Sequence, residues 1–305
     1  MEEITLDLNN QLSVGLGDNL CLLSALTNIP PPINLRVDER HNTFHRLSLY
    51  KRIFRIPDAQ LKVTKAPFTV GNLNNVGWPV KLFSEYHRPT HVNVNGQTLK
   101  VKDHNERKPC IAIACSTDLS GPANEWPWCR SRSFEFWGKL MGWVKEMGYE
   151  VITIDQPYHD LEAKIELMVK NCRAIISYEG GMAHLAHMLD MPCFILDWNL
   201  PSPSTTLDRF HCEFVHMSKS TYIVRNDGEL FSWNRNDFDT KIHALENGEG
   251  NNRLMNGSAI FSFEGPGISG NVRVASPGGV ELLSAPPMFG PTKKLTELLN
   301  IYYSK

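Results

Sequence analysis

Long hydrophobic runs, a targeting segment and a strong excess of charge of either sign are all missing from this 305-residue chain. No apolar run approaches the roughly 20 residues that a membrane-spanning helix needs. The opening residues MEEITLDLNN are acidic and lack the basic-then-apolar order of a signal peptide. The net charge of -2 argues against a protein that binds nucleic acid non-specifically over its whole surface. We therefore expect a cytoplasmic protein with no integral membrane segment.

Metal-binding and disulfide patterns are also missing. The seven cysteines are odd in number and form no CxxC pair, which is typical of a reduced chain without a structural zinc site. His211, Cys212 and His216 lack a fourth ligand at a recognisable spacing. The triplet DFD at 237–239 follows polar WNRN rather than a buried strand, so it is predicted to be a surface loop. The sequence thus predicts neither a metal ion nor a cofactor.

Apolar strand-like stretches alternate with helix-like stretches along much of the chain. The first part contains NLRVD, NTFHRLSLYKRIF and AQLKVTK. The second contains CIAIAC, SFEFWGKLMGWVKEMG, YEVITID, LEAKIELMVKNC, RAIISY, GMAHLAHMLD and PCFIL. This alternation predicts an α/β fold in which helices cover both faces of a parallel sheet.

The length of the chain predicts two domains, because single hydrophobic cores usually stop growing at about 250–300 residues. The polar stretch VKDHNERKP favours a boundary that separates 1–107 from 108–305. Residues 245–291 are rich in Gly, Asn, Ser and Pro, which is typical of a small β excursion or a loop. A closing helix is expected over 291–304 and is a candidate to pack back on the first domain.

Two glycines and a histidine follow the strand-like RAIISY, in the stretch EGGMAHLAHMLD. Gly180 and Gly181 lower the stability of a helix start. Bare backbone there lets a phosphate approach the unpaired N–H groups and the positive end of the helix dipole. His184, one turn further, is positioned to donate a hydrogen bond to a diphosphate. The alternative is a tight turn followed by a core helix with partly buried His184 and His187.

A second glycine turn lies near the start, in SVGLGDNLCLLSAL. Gly15 and Gly17 favour a tight turn, and Asp18 or Asn19 is a suitable residue to cap the following helix. As an alternative to capping, Asp18 projects into a cleft and takes a proton from an acceptor hydroxyl.

Together these stretches carry a resemblance to a known family. Gly-Asp-x-Leu at the first helix, followed late in the chain by strand-Gly-Gly-x-x-His-Leu-Ala, resembles the ADP-heptose:lipopolysaccharide heptosyltransferases. The stretch IAIACSTDLSGPANEWPWCRSRSFEFWGKL is similar to the family's strand, Trp-Pro loop and helix. The resemblance implies the GT-B fold, with two Rossmann-like domains whose parallel sheets face an interdomain cleft. Residues 1–107 would then face the acceptor, and 108–305 would bind the nucleotide sugar.

The resemblance also implies an activity and its residues. The activity is an inverting, metal-independent transfer of a sugar from a nucleotide sugar, UDP- or ADP-linked, to a hydroxyl group. Asp18 would be the general base of this transfer. The family has a lysine where Glu125 stands, so Arg130 and Arg132 are candidates to serve the donor phosphates. The remaining donor-binding candidates are Ser116, Glu179, Gly180, Gly181 and His184.

The distribution of charge bears on the acceptor. Residues up to Lys108 contain 14 Lys and Arg against 10 Asp and Glu, whereas the remainder contains 17 against 23. A basic first domain favours an anionic acceptor. Two acceptors fit: a phosphorylated cell-surface saccharide, or DNA with hydroxymethylated bases, which would have to be reached by flipping. The alternative is a basic face that is simply solvated.

Two other classes of function stay open. In an NAD(P)-dependent oxidoreductase, GLGDNL would stand for GxGxxG and Asp38, about 20 residues after Gly17, would bind the ribose. Leu20 in place of the third glycine, and LNNQLSV as a poor buried strand, argue against it. In a non-catalytic nucleotide-sugar-binding module, both glycine turns bind but Asp18 transfers nothing. Turnover of a nucleotide sugar distinguishes the transferase from both.

Overall fold

The computed structural model describes twelve ranges of the chain. They are 3–8, 16–27, 32–38, 42–66, 86–115, 134–154, 160–178, 181–196, 220–224, 226–250, 270–276 and 279–285. The chain groups into two compact units. The first consists of Met1–His87 with Arg253–Lys305, and the second of Arg88–Asn252.

The first unit contains a parallel sheet of three strands in the order β1-β2-β3. Helices connect these strands, and an antiparallel hairpin lies late in the chain. Its elements are β1 (Ile4–Leu8), α1 (Leu16–Thr27), β2 (Ile33–Asp38), α2 (Asn42–Ile53) and β3 (Leu61–Ala66), with the hairpin strands Gly270–Ser276 and Gly279–Ala285.

Alternation along β2 shows how this sheet is packed. Ile33, Leu35 and Val37 are buried, whereas the two residues between them are half-buried. Successive side chains of a strand point to opposite faces, so one face of β2 is in the core and the other is partly open. The apolar run of α1 supplies two further buried residues of this unit, Leu20 and Leu23.

The second unit contains a parallel sheet of five strands. A hairpin and a short 3₁₀ helix at His104–Glu106 precede it. The hairpin strands are β4 (His91–Val94) and β5 (Gln97–Lys100). The sheet and its helices are β6 (Cys110–Ala114), α3 (Phe134–Glu146), β7 (Glu150–Thr153), α4 (Leu161–Asn171), β8 (Ala174–Tyr178), α5 (Gly181–Met188), β9 (Cys193–Leu196), β10 (Thr221–Val224), α6 (Asp227–Ser232) and α7 (Arg235–Glu246).

Continuous burial distinguishes the strands at the centre of this second sheet. Every residue of β6 and of β9 is buried. That pattern is typical of parallel strands covered by helices on both faces. One face packs on Trp137 and Leu140 of α3 and on Phe238 of α7, all of which belong to a single apolar cluster.

Local signals in the sequence fix the ends of the helices in this unit. Asp160 accepts a hydrogen bond from the Ala163 amide at 2.7 Å and so caps α4. Asn234 and Asp237 form a reciprocal capping box at the start of α7. Gly148, just after α3, has a φ of +79°, a conformation that favours glycine.

The prediction of an α/β fold with parallel sheets and intervening helices is confirmed. The prediction of a surface loop at 237–239 is wrong, because these residues are the third to fifth residues of α7. The strand before the first glycine turn is β1, upstream of most of LNNQLSV. Among the helices of the described ranges, none combines the length and the apolar character needed to cross a membrane.

Other predictions about the layout of the chain stay predictions. These are the functional division into 1–107 and 108–305 and the closing helix at 291–304, which lies outside the described residues.

The β4–β5 hairpin belongs to the second unit and contacts α4 there. The Asn95 backbone amide donates to Glu162 at 3.1 Å, and the Asn95 side chain donates to Glu166 at 3.0 Å.

Candidate functional site

The order of strands in the five-stranded sheet reverses between β6 and β8. The order is β10-β9-β8-β6-β7, so the chain moves from β6 outward to β7 and then returns to the other side of β6 to form β8. Ala114 near the end of β6 pairs with Ser177 near the end of β8. The connections that leave β6 and β8 therefore diverge from neighbouring strand ends. In open parallel sheets, ligands bind at such a point.

Both groups of residues predicted to bind the donor follow these two strands. The stretch of sequence with Ser116, Arg130 and Arg132 begins directly after Cys115, the buried residue that follows β6. Glu179 and Gly180 follow β8, and Gly181 is the first residue of α5. The five residues Ser116, Arg130, Arg132, Glu179 and Gly180 lie outside the described residues, so their roles stay predictions.

The start of α5 has a simple electrostatic character. The first N–H groups of a helix have no partner within the helix, and the helix dipole makes that end positive. The first turn of α5 contains no acidic residue. The connection from β8 is only two residues long, so this end lies at the carboxyl edge of the sheet. An anion at this edge would meet the helix start.

His184 and His187 are both buried in α5. The exposed fraction is 7% for His184 and 0% for His187. Their ring centroids are 6.5 Å apart, with the ring planes at 80°. His187 Nε2 shares a hydrogen bond of 2.6 Å with Thr221 Oγ1 of β10. The alternative of a buried core helix is thus correct for the body of α5, while the role of His184 toward a diphosphate stays a prediction.

Thr221 is a residue that the sequence argument missed. It is fully buried at the start of β10 and pairs along the backbone with Cys193 of β9. The signal in the sequence is the short apolar stretch TYIV with a polar first residue. This strand follows a long polar region, which obscures the alternation of strands and helices.

The glycine turn of the first unit differs from that of the second. Helix α1 begins at Leu16, so Gly17 and Asp18 lie in its first turn. Asp18 and Asn19 are therefore inside the helix rather than at its cap, which corrects the expectation of capping. Gly17 and Asn19 are buried. Gly15 lies outside the described residues, and the role of Asp18 as a base stays a prediction.

Titratable groups at the amino edge of the second sheet belong to a different region. Asp239 of α7 accepts hydrogen bonds from the Tyr149 hydroxyl and from Arg235, the latter at 2.6 Å. Burial and the hydrogen bond to Asp239 raise the pKa of Tyr149 to about 12. Burial opposes ionisation of Asp239, but its bonds to Tyr149 and Arg235 prevail and lower its pKa. Tyr149 directly precedes β7, so this network lies at the edge of the sheet opposite to the carboxyl ends of the strands.

Two buried thiols lie at the same amino edge. Cys110 begins β6, and Cys172 follows α4 just before β8. A hydrogen bond between the thiols lowers the pKa of Cys110 and, together with burial, raises the pKa of Cys172. In the described part of the chain, no group of three or more His, Cys, Asp or Glu side chains is arranged to hold a metal ion.

Comparison with protein-family models, with curated proteins and with solved structures gives no match to this chain. Function must therefore be inferred from the chemistry of the residues themselves. In the second unit, the features that bear on function are the switch point between β6 and β8 and the start of α5 with its histidines. In the first unit, the feature is the acidic residue in the first turn of α1.

Proposed function

We propose that the protein is an inverting, metal-independent glycosyltransferase of the GT-B type. Its second unit would bind the nucleotide sugar, and its first unit would bind the acceptor. The observation that carries the proposal is the position of Gly181. The helix that begins there follows a strand next to the point where the order of the sheet reverses, and its first turn has no acid.

The leaving group explains why this helix start suits the reaction. As the bond between the sugar and the diphosphate breaks, negative charge accumulates on the diphosphate oxygens. Oriented N–H groups that are already in place stabilise that charge without reorganising during the reaction. The backbone amides at the start of α5 supply such groups, and His184 would add a donor one turn further in.

The acceptor hydroxyl requires a base. In the proposed mechanism, the Asp18 carboxylate takes the hydroxyl proton as the oxygen attacks the anomeric carbon. The bond from that carbon to the diphosphate oxygen breaks, and the nucleoside diphosphate leaves with the electron pair. Attack from the face opposite to the leaving group inverts the configuration at the anomeric carbon.

The acceptor is proposed to be anionic, because the residues of the first unit, 1–87 and 253–305, contain 14 Lys and Arg against 11 Asp and Glu. A phosphorylated cell-surface saccharide and DNA with hydroxymethylated bases remain the two candidates. Both supply a hydroxyl group close to phosphate.

Nucleotide-sugar turnover tests the proposal. Purified protein would be incubated with UDP-, ADP- and GDP-linked sugars, with and without each acceptor, in the presence of EDTA. We expect release of one nucleoside diphosphate that depends on an acceptor, and a product with inverted anomeric configuration. Absence of hydrolysis and transfer across the panel, together with no binding of any nucleoside diphosphate, would contradict the proposal.

One observation favours a second candidate, an NAD(P)-dependent oxidoreductase. The strand missing from LNNQLSV exists upstream as β1, and α1 follows it. Asp38 is the last residue of β2, which pairs in parallel with β1. That position suits an acid that binds a ribose hydroxyl. Binding of NADH or NADPH, with loss of binding in Asp38→Asn, would favour this candidate.

A further inference from the structure

Burying the polar groups of His187 and Thr221 has a desolvation cost that apolar side chains at the same positions would avoid. Both side chains are fully buried, so both lose their contacts with water on folding. A buried polar group is costly unless it is paired, and here His187 Nε2 and Thr221 Oγ1 lie 2.6 Å apart. The pair therefore calls for an explanation beyond filling of the core.

Most of the packing of α5 is apolar. Every residue from Met182 to Met188 is buried, and the helix packs against β8 and β9. Hydrophobic contact is not directional, so it fixes the depth of a helix better than its rotation or its axial position. A hydrogen bond has a defined length and angle. The bond from His187 to β10 supplies that constraint.

His184 lies on the amino-terminal side of this constraint. It precedes His187 by three residues, so the two side chains are neighbours on one helix face. Because the two rings meet edge to face, the orientation of the His187 ring limits the orientations that the His184 ring can adopt. Fixing His187 thus also limits where His184 and the start of α5 can lie.

We infer that the His187–Thr221 pair is a positioning device, which holds His184 and the first turn of α5 in the orientation that binds a diphosphate. The ligand named in this inference rests on the proposed function; the positioning of His184 does not. His187 and Thr221 themselves touch no ligand in this account. They act through His184 and Gly181.

The test uses Thr221→Val, which removes the hydroxyl while keeping a β-branched shape, and Thr221→Ser, which restores the hydroxyl. Thr27→Val is the matched control, because Thr27 is 4% exposed and donates to the Leu23 carbonyl at 2.6 Å in the first unit. Two quantities are measured on each full-length variant. They are the affinity for the nucleoside diphosphate that binds best, by calorimetry, and the side-chain ¹⁵N resonances of His184 and His187.

We expect Thr221→Val to weaken diphosphate binding about tenfold, the order of effect for one lost buried hydrogen bond. We also expect it to shift the ¹⁵N resonances of both histidines. Thr221→Ser should restore the affinity and the resonances, whereas Thr27→Val should lower the melting temperature but change neither. Unchanged affinity and unchanged His184 resonances in Thr221→Val would overturn the inference.

The experiment also covers a variant that does not fold and a wild type that binds no diphosphate. If Thr221→Val does not fold, the double variant His187→Phe/Thr221→Val replaces both partners by apolar groups and leaves no buried group unpaired. It should recover folding but not diphosphate affinity, and recovery of both would overturn the inference. If the wild type binds no nucleoside diphosphate, the proposed function fails, and the inference is then decided by the His184 resonances alone.

Discussion

Two helices in this protein follow parallel strands and have a glycine among their first two residues, but their first turns have opposite chemistry. Helix α1 has an acid, Asp18, in its first turn. Helix α5 has no acid in its first turn and has a histidine at its fourth residue. A carboxylate neutralises the positive end of a helix from within, whereas a helix start without one remains available to an external anion. This difference is the basis of the proposal that α5 binds a phosphate and that α1 supplies a base.

The largest effect expected from the different roles of the two helix starts concerns Asp18. We expect Asp18→Asn to lower kcat for transfer by about 10²- to 10⁴-fold, since a positioned general base contributes that much. Affinity for the nucleoside diphosphate should stay within about twofold, because the diphosphate is assigned to the other unit. Steady-state kinetics and calorimetry on the same sample give both quantities.

The control for Asp18 is Asp58→Asn, which removes an exposed carboxylate of the same unit that pairs with Lys51. It should leave kcat unchanged. If Asp18→Asn retains full kcat, or if it abolishes nucleotide binding as well, the assignment of Asp18 as a base is wrong.

The next effect concerns His184. His184→Phe fills the buried space but removes the hydrogen-bond donor. We expect the Kd for the nucleoside diphosphate to rise about tenfold to a hundredfold, since bonds to charged groups are worth about 1.5–3 kcal/mol. The Kd for the corresponding nucleoside should not change.

His87→Phe is the control for this variant. His87 is a half-buried histidine of the first unit, and its Nε2 lies 3.2 Å from the Phe54 carbonyl oxygen. Its loss should affect stability without affecting nucleotide affinity. Equal losses for the nucleoside and the diphosphate in His184→Phe would show that the side chain serves only packing.

A smaller effect is expected from a substitution that makes the start of α5 resemble that of α1. Gly181→Asp places a carboxylate at the first residue of α5. We expect the melting temperature to stay the same or rise, because acids stabilise helix N-termini, and diphosphate affinity to fall about tenfold through charge repulsion. Gly181→Asn, which has the same shape without the charge, should bind more tightly than Gly181→Asp. Equal affinities for the two variants would count against an anion at this helix start.

The smallest effect compares two ion-paired carboxylates. The pKa of Asp239 is lowered, so its contribution to stability is complete above the unfolded-state pKa of about 3.9 and is lost as pH falls through the folded-state pKa. We expect Asp239→Asn to lower the free energy of unfolding at pH 7 by less than about 1 kcal/mol, because the side chain is about a third exposed and screened. Urea unfolding between pH 2 and 7 should show a flatter acid limb for this variant.

Asp58→Asn should change this acid limb less, since among the described residues Asp58 has one hydrogen-bonded partner, Lys51, and its side chain is 78% exposed. If the two variants gave the same curve, the partners of Asp239 at the amino edge would contribute nothing beyond an ordinary surface pair.

The sequence predicted most of the second sheet because its strands are continuous apolar runs and its helices have clear boundaries. β6, β8 and β9 were identified for that reason. β1 was missed because its alternation, ITLDL, is short. α7 was missed because RNDFDTKIHALE has a weak apolar stripe, although Asn234 and Asp237 formed a capping box that could have predicted its start.

The candidate site was predicted only in part. The glycines of EGGMAHLAHM marked the start of α5, but the pairing of β6 with β8 depends on strand order, which a single sequence does not encode locally. The bond between His187 and Thr221 joins residues 34 positions apart. Such a contact follows from the tertiary fold and not from a periodic pattern.

Backbone amide NMR of the isotope-labelled chain, titrated with UDP, ADP and GDP and with the matching nucleosides, tests the central claim most directly. The claim is that the start of α5 binds a diphosphate. It predicts that the amide resonances of Gly181 and Met182 shift with at least one diphosphate and not with its nucleoside. If the resonances of Gly181 and Met182 do not shift with any diphosphate, the claim is contradicted. If the resonances of Gly17 and Asp18 shift instead, and NADH produces the same shifts, the dinucleotide-binding alternative takes its place.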